Sequence, residues 1–251
     1  MIEIKHLYKS FEDKDVLIDI NAVFEDGKTN LIIGQSGSGK TVLMKNIVGL
    51  FVPTSGQILY DGRDFIGMTK REQVLIRREM GMIFQSAALF DSMSVLENVM
   101  FPLEMFSDDC QTDRIRRAKF CLERVNLKGA ENKHPGEISG GMQTRVAIAR
   151  AIALNPKYLF CDEPNSGLDP KTSLVIDELI HDITQEYKMT TIINTHDMNS
   201  VMGIGENILY IYKGQKEWQG SKDQIMTSTN ERLNSFIFAS DLFRKVKEAN
   251  Q

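Results

Sequence analysis

Short apolar runs, each about the length of a buried strand, recur along the chain at residues 31–33, 82–84, 158–161 and 191–194. Runs with consecutive apolar side chains are typical of strands that are buried on both faces, and such strands usually belong to a parallel sheet. Segments with helical spacing lie between these runs, at residues 40–49, 139–153 and 171–187. This alternation predicts an α/β fold with a mostly parallel core sheet.

The N-terminal part has a different pattern. Short strands of alternating polarity are predicted at residues 2–5 and 17–24, and Asp61-Gly62 has the composition of a hairpin turn. We therefore expect a second, smaller antiparallel sheet beside the main one.

Helical patterns replace the strand signal between Gln85 and Glu137. Ser94 and Thr112 are candidate N-caps for two helices in this stretch. We expect a helical subdomain at about residues 86–137, inserted into an α/β domain that spans residues 1–228.

The end of the chain predicts a hairpin followed by a helix. Lys213-Gly214 has the composition of a hairpin turn. The apolar residues of segment 231–247 fall largely on one helical face; they are Leu233, Phe236, Ile237, Phe243 and Val246. Residues 229–251 are therefore predicted to form an amphipathic extension, which packs on its own subunit, on a second copy or on a small accessory protein.

Composition excludes several classes of protein. With 251 residues, 42% hydrophobic and 25% charged, the chain can build a core and is neither disordered nor fibrous. A net charge of -4 argues against nucleic acid as the partner. Cys110, Cys121 and Cys161 have no paired spacing, so neither a disulfide framework nor a zinc site is expected. No secretory signal and no apolar run of about 18 residues is found, so a membrane function needs a partner subunit.

Residues 34–41, with the sequence GQSGSGKT, match the phosphate-binding pattern G-x-x-x-x-G-K-[ST] between a strand and a helix. Glycines let the backbone curl so that N–H groups point at phosphate oxygens, and the helix dipole adds positive potential. Lys40 is predicted to reach the β- and γ-phosphates of ATP and Thr41 to bind Mg²⁺. The predicted nucleotide contacts are Gly34, Ser36, Gly37, Ser38, Gly39, Lys40 and Thr41. Alone, this loop indicates only a nucleoside triphosphate site, which kinases, GTPases and helicases share.

Two carboxylates follow the strand at residues 158–161. In open α/β folds the carboxyl ends of the strands form the ligand-binding edge. Asp162 is predicted to hold the Mg²⁺ shell and Glu163 to polarise the water that attacks the γ-phosphate. The alternative is an ordinary solvated strand end.

Two further polar residues follow strands at the same predicted edge. His196 follows the strand at residues 191–194 and is predicted to donate a hydrogen bond to the γ-phosphate, although a lone histidine is more often structural. Gln85 follows the strand at residues 82–84, from which its amide could reach Mg²⁺ or the attacking water.

A second anion site is predicted at Ser139-Gly140-Gly141. Ser139 is a good helix cap, and the two glycines leave backbone N–H groups bare at a helix N-terminus. One nucleotide does not need both sites of one chain. We therefore expect two copies to meet head to tail, so that each closes this site on ATP held by the other.

With these motifs in order, nearly the whole chain resembles the ABC ATPase family. Residues 138–142 resemble the family's signature motif, Gln85 its Q-loop and His196 its switch histidine. The resemblance also implies that Asp169, in the D-loop at residues 166–169, lies at the nucleotide, and that Phe11 stacks on adenine. It implies a P-loop NTPase fold, an ATP-sandwich dimer and attachment to transmembrane permease subunits.

Three positions depart from the family pattern. Ile138 and Met142 replace the commoner Leu and Gln of the signature, and Asn165 stands where Thr or Ala is usual before the D-loop. None of these changes removes a catalytic group.

The apolar segment at residues 86–103 implies, by the same resemblance, a groove that receives a short helix of the membrane subunit. Some of its side chains are expected instead to fill the helical subdomain. Residues 81–103, which include this segment, are together with residues 138–156 and 195–201 most similar to ATPases of Mla-type (MCE-associated) phospholipid transporters. That similarity implies MCE-domain and accessory subunits, and a place at the cytoplasmic face of the inner membrane. The alternative is the ATPase of an amino-acid or other small-solute importer.

Overall fold

The computed structural model describes residues 1–239. The chain divides into two compact units, one made of Met1–Met68 with the chain from Asn194 onward, the other of Thr69–Ile193. Of the predicted C-terminal apolar face, Phe243 and Val246 lie outside the described residues.

The strands, in chain order, are β1 (Ile2–Phe11), β2 (Lys14–Phe24), β3 (Thr29–Ile33), β4 (Ser55–Tyr60), β5 (Arg63–Asp64), β6 (Met80–Ile83), β7 (Tyr158–Asp162), β8 (Thr190–Asn194), β9 (Asn207–Tyr212) and β10 (Gln215–Gly220). The helices are α1 (Lys40–Ile47), α2 (Lys70–Arg78), α3 (Val95–Phe106), α4 (Gln111–Arg124), α5 (Gly140–Ala151), α6 (Pro170–Tyr187), α7 (Met198–Ile204), α8 (Lys222–Thr227) and α9 (Glu231–Ile237). Within the part of the chain that the structure describes, no helix is long and apolar enough to cross a membrane.

The predicted antiparallel sheet is present in the first unit, with strand order β2-β1-β4-β5. Its β1 is ten residues long, whereas the sequence predicted only residues 2–5. The difference arises because the register shifts after Ile4, and such irregularities interrupt the alternation from which strands are recognised. The predicted turn between β4 and β5 is confirmed: Asp61 and Gly62 both have positive φ, and Tyr60 pairs with Arg63.

The first unit also contains the strand that leads into the phosphate loop. All five residues of β3 are buried, and β3 pairs in parallel with β9. An antiparallel hairpin follows, in which the predicted turn at Lys213 and Gly214 joins β9 to β10 with Gln215 opposite Tyr212.

The second unit carries the other predicted parallel strands, in the order β8-β7-β6. Met80 pairs with Tyr158 and Ile83 with Cys161, so β6 and β7 run in parallel. The fold class predicted from alternating strands and helices is therefore confirmed.

Two helix starts in this unit test the predicted caps. Ser94 caps α3 in a capping box with Glu97, as predicted. The prediction for Thr112 is wrong, because α4 begins at Gln111 with Cys110 at the N-cap position. The Cys110 carbonyl accepts the amide of Arg114, so Thr112 is already the second residue of the helix.

Candidate functional site

The phosphate loop joins β3 to α1 and requires glycine at its first position. Gly34 has a φ of +151°, and a Cβ there would lie 2.3 Å from the Ile211 carbonyl oxygen and 2.7 Å from Ser38 Oγ. Lys40 is buried, and its ammonium donates to the carbonyls of Gly34 (2.9 Å) and Gln35 (3.2 Å). The loop therefore curls around the lysine head group.

The loop has the features expected of a phosphate cradle. Ser36, Gly37 and Thr41 are exposed, with Thr41 in the first turn of α1. Ser38 Oγ is buried and has no hydrogen-bond partner among the described residues. Exposed loop residues, a helix N-terminus and this unpaired hydroxyl suit a bound triphosphate.

His196 is in the same unit as the loop. The amide of the preceding residue, Thr195, donates to the carbonyl of Ile32 in β3, at 3.2 Å. His196 itself is exposed, and Asp197 caps α7 by accepting the Asn199 amide at 2.8 Å. Ile32 lies two residues before Gly34. This hydrogen bond therefore holds the residue before His196 beside the end of β3 that leads into the loop.

Phe11 ends β1 and is 40% exposed. Its ring makes an edge contact with Phe51, with centroids 5.3 Å apart, and the Lys9 ammonium lies 4.7 Å from its centroid. Val16, near the start of β2, lies against Gly39, where its carbonyl oxygen would be 3.2 Å from an added Cβ. Phe51 and Lys9 were missed in the sequence because a ring contact across 40 residues leaves no local pattern.

The two predicted carboxylates lie in the second unit at the end of β7, both partly buried. Glu163 has a φ of +52°, which is uncommon for a residue with a Cβ. Its carbonyl accepts the Ser166 amide at 3.1 Å. Strained conformations of this kind cluster at active sites.

The structure brings Gln85 to the D-loop. Gln85 Nε2 donates to Ser166 Oγ at 3.2 Å, although the two residues are 81 positions apart. Asp169 caps α6, where its carboxylate accepts the amides of Lys171 and Thr172 and the hydroxyl of Thr172. The Thr172 hydroxyl in particular lowers the pKa of Asp169.

The predicted second anion site is the start of α5. Ser139 caps this helix by accepting the Met142 amide at 3.3 Å, and Gly140 is exposed. A Cβ at Gly141 would lie 2.6 Å from Thr172 Cγ2, so the glycine lets α5 approach α6 closely. The helix N-terminus thus has exposed backbone at its tip.

A groove of about 470 Å³ lies in the second unit. Large apolar side chains that line it are Val74, Met82, Phe84, Phe90, Phe101 and Phe106. Arg77, Arg78 and Arg150 line it as well. Phe84, Phe90 and Phe106 are each more than 40% exposed.

The apolar segment at residues 86–103 divides between this groove and the interior. Phe90 and Phe101 line the groove with ring centroids 4.8 Å apart. The apolar residues of α3 that are buried instead are Val95, Val99, Met100 and Leu103.

The family model of the ABC transporter matches residues 17–166. This chain belongs to the ABC transporter family. It is the family's ATP-binding subunit, an ATPase whose hydrolysis is coupled to transport.

Three relatives of this ABC transporter subunit are informative. The intermembrane phospholipid transport system ATP-binding protein MlaF of Haemophilus influenzae is 38% identical over 239 residues, 94% of this chain and 90% of that protein. The probable ribonucleotide transport ATP-binding protein mkl of Mycobacterium leprae is 36% identical, and the alignment covers 94% of this chain and 68% of that protein. The methionine import ATP-binding protein MetN 2 of Enterococcus faecalis is 34% identical, covering 99% and 73%.

Solved ABC transporter cassettes have the same fold. A bacterial cassette solved as a dimer superposes with a TM-score of 0.81 at 33% identity, covering 88% of this chain and 99% of that chain. The same cassette in a post-hydrolysis state bound to ADP and Pi superposes with a TM-score of 0.80.

Two residues of this ABC transporter subunit were missed in the sequence. Asn98 is fully buried, accepts the Phe90 amide at 2.9 Å and donates to the carbonyls of Phe90, Met93 and Ser94. Arg150 donates to the carbonyls of Ala87 and Ala88. Both act on backbone groups, which no residue pattern marks.

The site residues are divided between the two units. The first holds Phe11, the phosphate loop and His196; the second holds Gln85, Ser139, Gly140, Gly141, Asp162, Glu163 and Asp169.

The hydroxyl of Thr41, the carboxylate of Asp162 and the amide oxygen of Gln85 are hard oxygen ligands of the kind that Mg²⁺ prefers. Among residues 1–239, no group of three or more His, Cys, Asp or Glu side chains could hold a metal.

Proposed function

We propose that this chain powers phospholipid transport between bacterial membranes as the ATPase of an Mla-type transporter. The observation that carries the proposal is the match to MlaF, which has 38% identity and spans nearly the full length of both chains. A small-solute importer is the second candidate, since the methionine import relative aligns with 99% of this chain at 34% identity.

For hydrolysis, we assign the water-activating role to Glu163. Glu163 directly follows the buried strand β7 and has a left-handed backbone conformation. This strained geometry supports a functional role. Asp162, Gln85 and Thr41 provide oxygen ligands for Mg²⁺, which when bound neutralises phosphate charge. Lys40 and His196 contact the β- and γ-phosphates.

In an ATP-bound dimer, the N-terminus of α5 contacts the nucleotide of the second copy. Ser139 and the exposed Gly140 present backbone at this tip, and Asp169 lies at the start of α6. Phe11, which Phe51 and Lys9 support, provides the adenine platform.

The groove is the docking site for the permease. Exposed rings at Phe84, Phe90 and Phe106 suit the apolar face of a short helix, and Arg77 and Arg78 suit an acidic residue on it. The chain then lies peripherally at the cytoplasmic face of the inner membrane, with MCE-domain and accessory subunits in the assembly. The ATPase domain spans residues 1–228, with residues 86–137 as its helical subdomain.

The C-terminal extension, residues 229–251, begins on its own subunit. Arg232 forms an ion pair with Glu217 at 2.9 Å, and Phe236 stacks on Tyr210 with centroids 5.2 Å apart. From this anchor, the extension contacts a second copy or an accessory protein. Unchanged assembly after deletion of residues 231–251 would exclude that contact.

The experiment that tests the substrate uses this chain assembled with its permease in lipid nanodiscs. We expect ATPase activity to depend on the phospholipid composition of the nanodisc. We also expect labelled phospholipid to leave the membrane only when ATP is present. The Glu163→Gln complex is the control for passive lipid exchange. Stimulation by a solute-binding protein with its solute, and none by phospholipid, would favour the importer.

A further inference from the structure

The segment directly after Gln85 has an unusual backbone. Ser86, Ala87 and Ala88 have φ values of +60°, +62° and +45°. Over residues 1–239, no other three consecutive residues all have positive φ. Such values are unfavourable for residues with a Cβ, so the surroundings must hold this turn in place.

The side chain that holds it is Arg150, near the end of α5. Its Nη1 donates to the Ala88 carbonyl and its Nη2 to the Ala87 carbonyl, both at 2.9 Å. The planar guanidinium can make two such bonds at once, which a lysine ammonium cannot do with the same geometry. Arg150 therefore fixes two successive carbonyls of the strained turn.

The described contacts of Arg150 are to neutral carbonyls and an aromatic ring. None of the residues described here places a carboxylate within ion-pair distance of it, and the Phe90 ring lies 5.9 Å away. Burial lowers the pKa of the guanidinium, which nevertheless stays protonated. Removing a cation from water costs free energy, and hydrogen bonds to neutral carbonyls offset that cost only in part. Arg150 therefore adds little to the stability of the fold. Its specific contribution is therefore the conformation of residues 86–88.

This turn connects two functional features. Gln85 precedes it and contacts Ser166, while Ala88 and Phe90 line the groove together with Arg150. Arg150 also belongs to α5, whose other end is the Ser139 cap about 16 Å away. Movement in the groove would therefore reach both Gln85 and the N-terminus of α5.

We propose that Arg150 is a positioning residue that sets Gln85 and transmits occupancy of the groove to ATP hydrolysis. The transmission rests on the proposed docking of the permease in the groove. The positioning of Gln85 does not, because it requires only contacts within this chain.

The first test measures basal ATPase activity of the full chain. We expect Arg150→Met to lower kcat about tenfold while KM for ATP changes less than about twofold, since the phosphate loop is untouched. Arg150→Lys recovers part of the loss. The matched control is Arg145→Met, because Arg145 lies on the same helix and donates to the Val125 carbonyl at 2.8 Å, away from the turn. Equal kcat for the Arg150→Met and Arg145→Met variants would overturn the positioning role.

A double-mutant cycle with Gln85→Ala tests whether Arg150 acts through Gln85. We expect the double variant to be no slower than the slower single variant, because both changes remove the same contribution. Multiplicative losses would show that Arg150 affects the rate by another route and overturn the assignment.

The second test measures stimulation of the ATPase by the permease. We expect Arg150→Met to lose most of the stimulation that Arg145→Met retains. Full stimulation of Arg150→Met would overturn the transmission. Failure of the permease to bind the wild-type chain would instead contradict the proposed docking, and with it the transmission, while the basal comparison would still decide the positioning role.

Discussion

The phosphate loop and the turn at residues 86–88 both depart from ordinary backbone conformation, but by different means. At Gly34, the loop uses a residue without a Cβ, so the left-handed conformation costs little. At residues 86–88, the turn uses Ser and Ala, and the side chain of Arg150 holds it from another element. The conformation of the loop therefore depends on its own glycine, whereas the conformation of the turn depends on a side chain from another element. The first arrangement suits a site that always binds the same ligand. The second suits a site whose partner binds and dissociates.

The largest expected effect separates binding from chemistry. Glu163→Gln removes the proposed water-activating carboxylate and leaves the phosphate loop intact, so we expect kcat to fall about a thousandfold with ATP affinity unchanged. The variant should also be trapped as an ATP-bound dimer in size-exclusion chromatography. Glu178→Gln, an exposed change on α6, is the control. Normal turnover of Glu163→Gln would refute the role of this carboxylate.

The next effect tests the glycine-built loop. An Ala side chain at Gly34 would place Cβ 2.3 Å from the Ile211 carbonyl oxygen, so we expect ATP affinity to fall about a hundredfold and stability by at least about 3 kcal/mol. Gly27→Ala is the matched control, because Gly27 also has positive φ but has open space around it, and should cost about 1 kcal/mol. Urea unfolding and titration with a fluorescent ATP analogue measure both quantities. Equal losses of stability in the two variants would show that close contact at Gly34 is not what requires glycine.

A smaller effect is expected at Asn98, which supports the loop that follows the turn at residues 86–88. Asn98→Ala removes the side-chain amide that hydrogen-bonds to the backbone of residues 90–94 and leaves the Phe90 amide without its acceptor. We expect a loss of about 3 kcal/mol in the free energy of unfolding. Permease affinity should also fall, because Phe90 lines the groove, while ATP affinity stays at the wild-type value. Unchanged binding of the permease would mean that Phe90 does not need this support.

The smallest expected effect concerns the ion pair between Arg232 and Glu217, in which the arginine is exposed, unlike the partly buried Arg150. A hydrogen bond from Arg232 lowers the pKa of Glu217 below its ordinary value of 4.5. The pair therefore stabilises the fold above that value, and its contribution is lost as the pH falls through the lowered pKa. We expect Glu217→Gln to lower the thermal unfolding midpoint slightly at pH 7 and not at all below that pKa. A difference that persists in acid would point to packing rather than charge.

The regular elements and the tight turns could be predicted because their causes are local. Buried strands are apolar at consecutive positions, and the turns at Asp61-Gly62 and Lys213-Gly214 need residues that tolerate positive φ. Thr112 was predicted wrongly as a cap because hydroxyl residues usually cap helices, whereas here the Cys110 carbonyl starts α4. The sequence predicts Gln85 at the nucleotide-binding edge of the sheet, but its contact with Ser166 depends on a fold that joins positions 81 residues apart.

The sequence by itself determined the phosphate loop, the order of the motifs and hence the ABC transporter family, because each motif is a short run of residues that can be recognised without knowing what it contacts. Only the tertiary structure decided which apolar residues of segment 86–103 line a groove and which fill the interior. It also decided that Arg150 and Asn98 hold the turn and loop beside that groove. The physical reason is that burial and hydrogen bonding depend on the neighbours that folding supplies, and those neighbours come from distant parts of the chain.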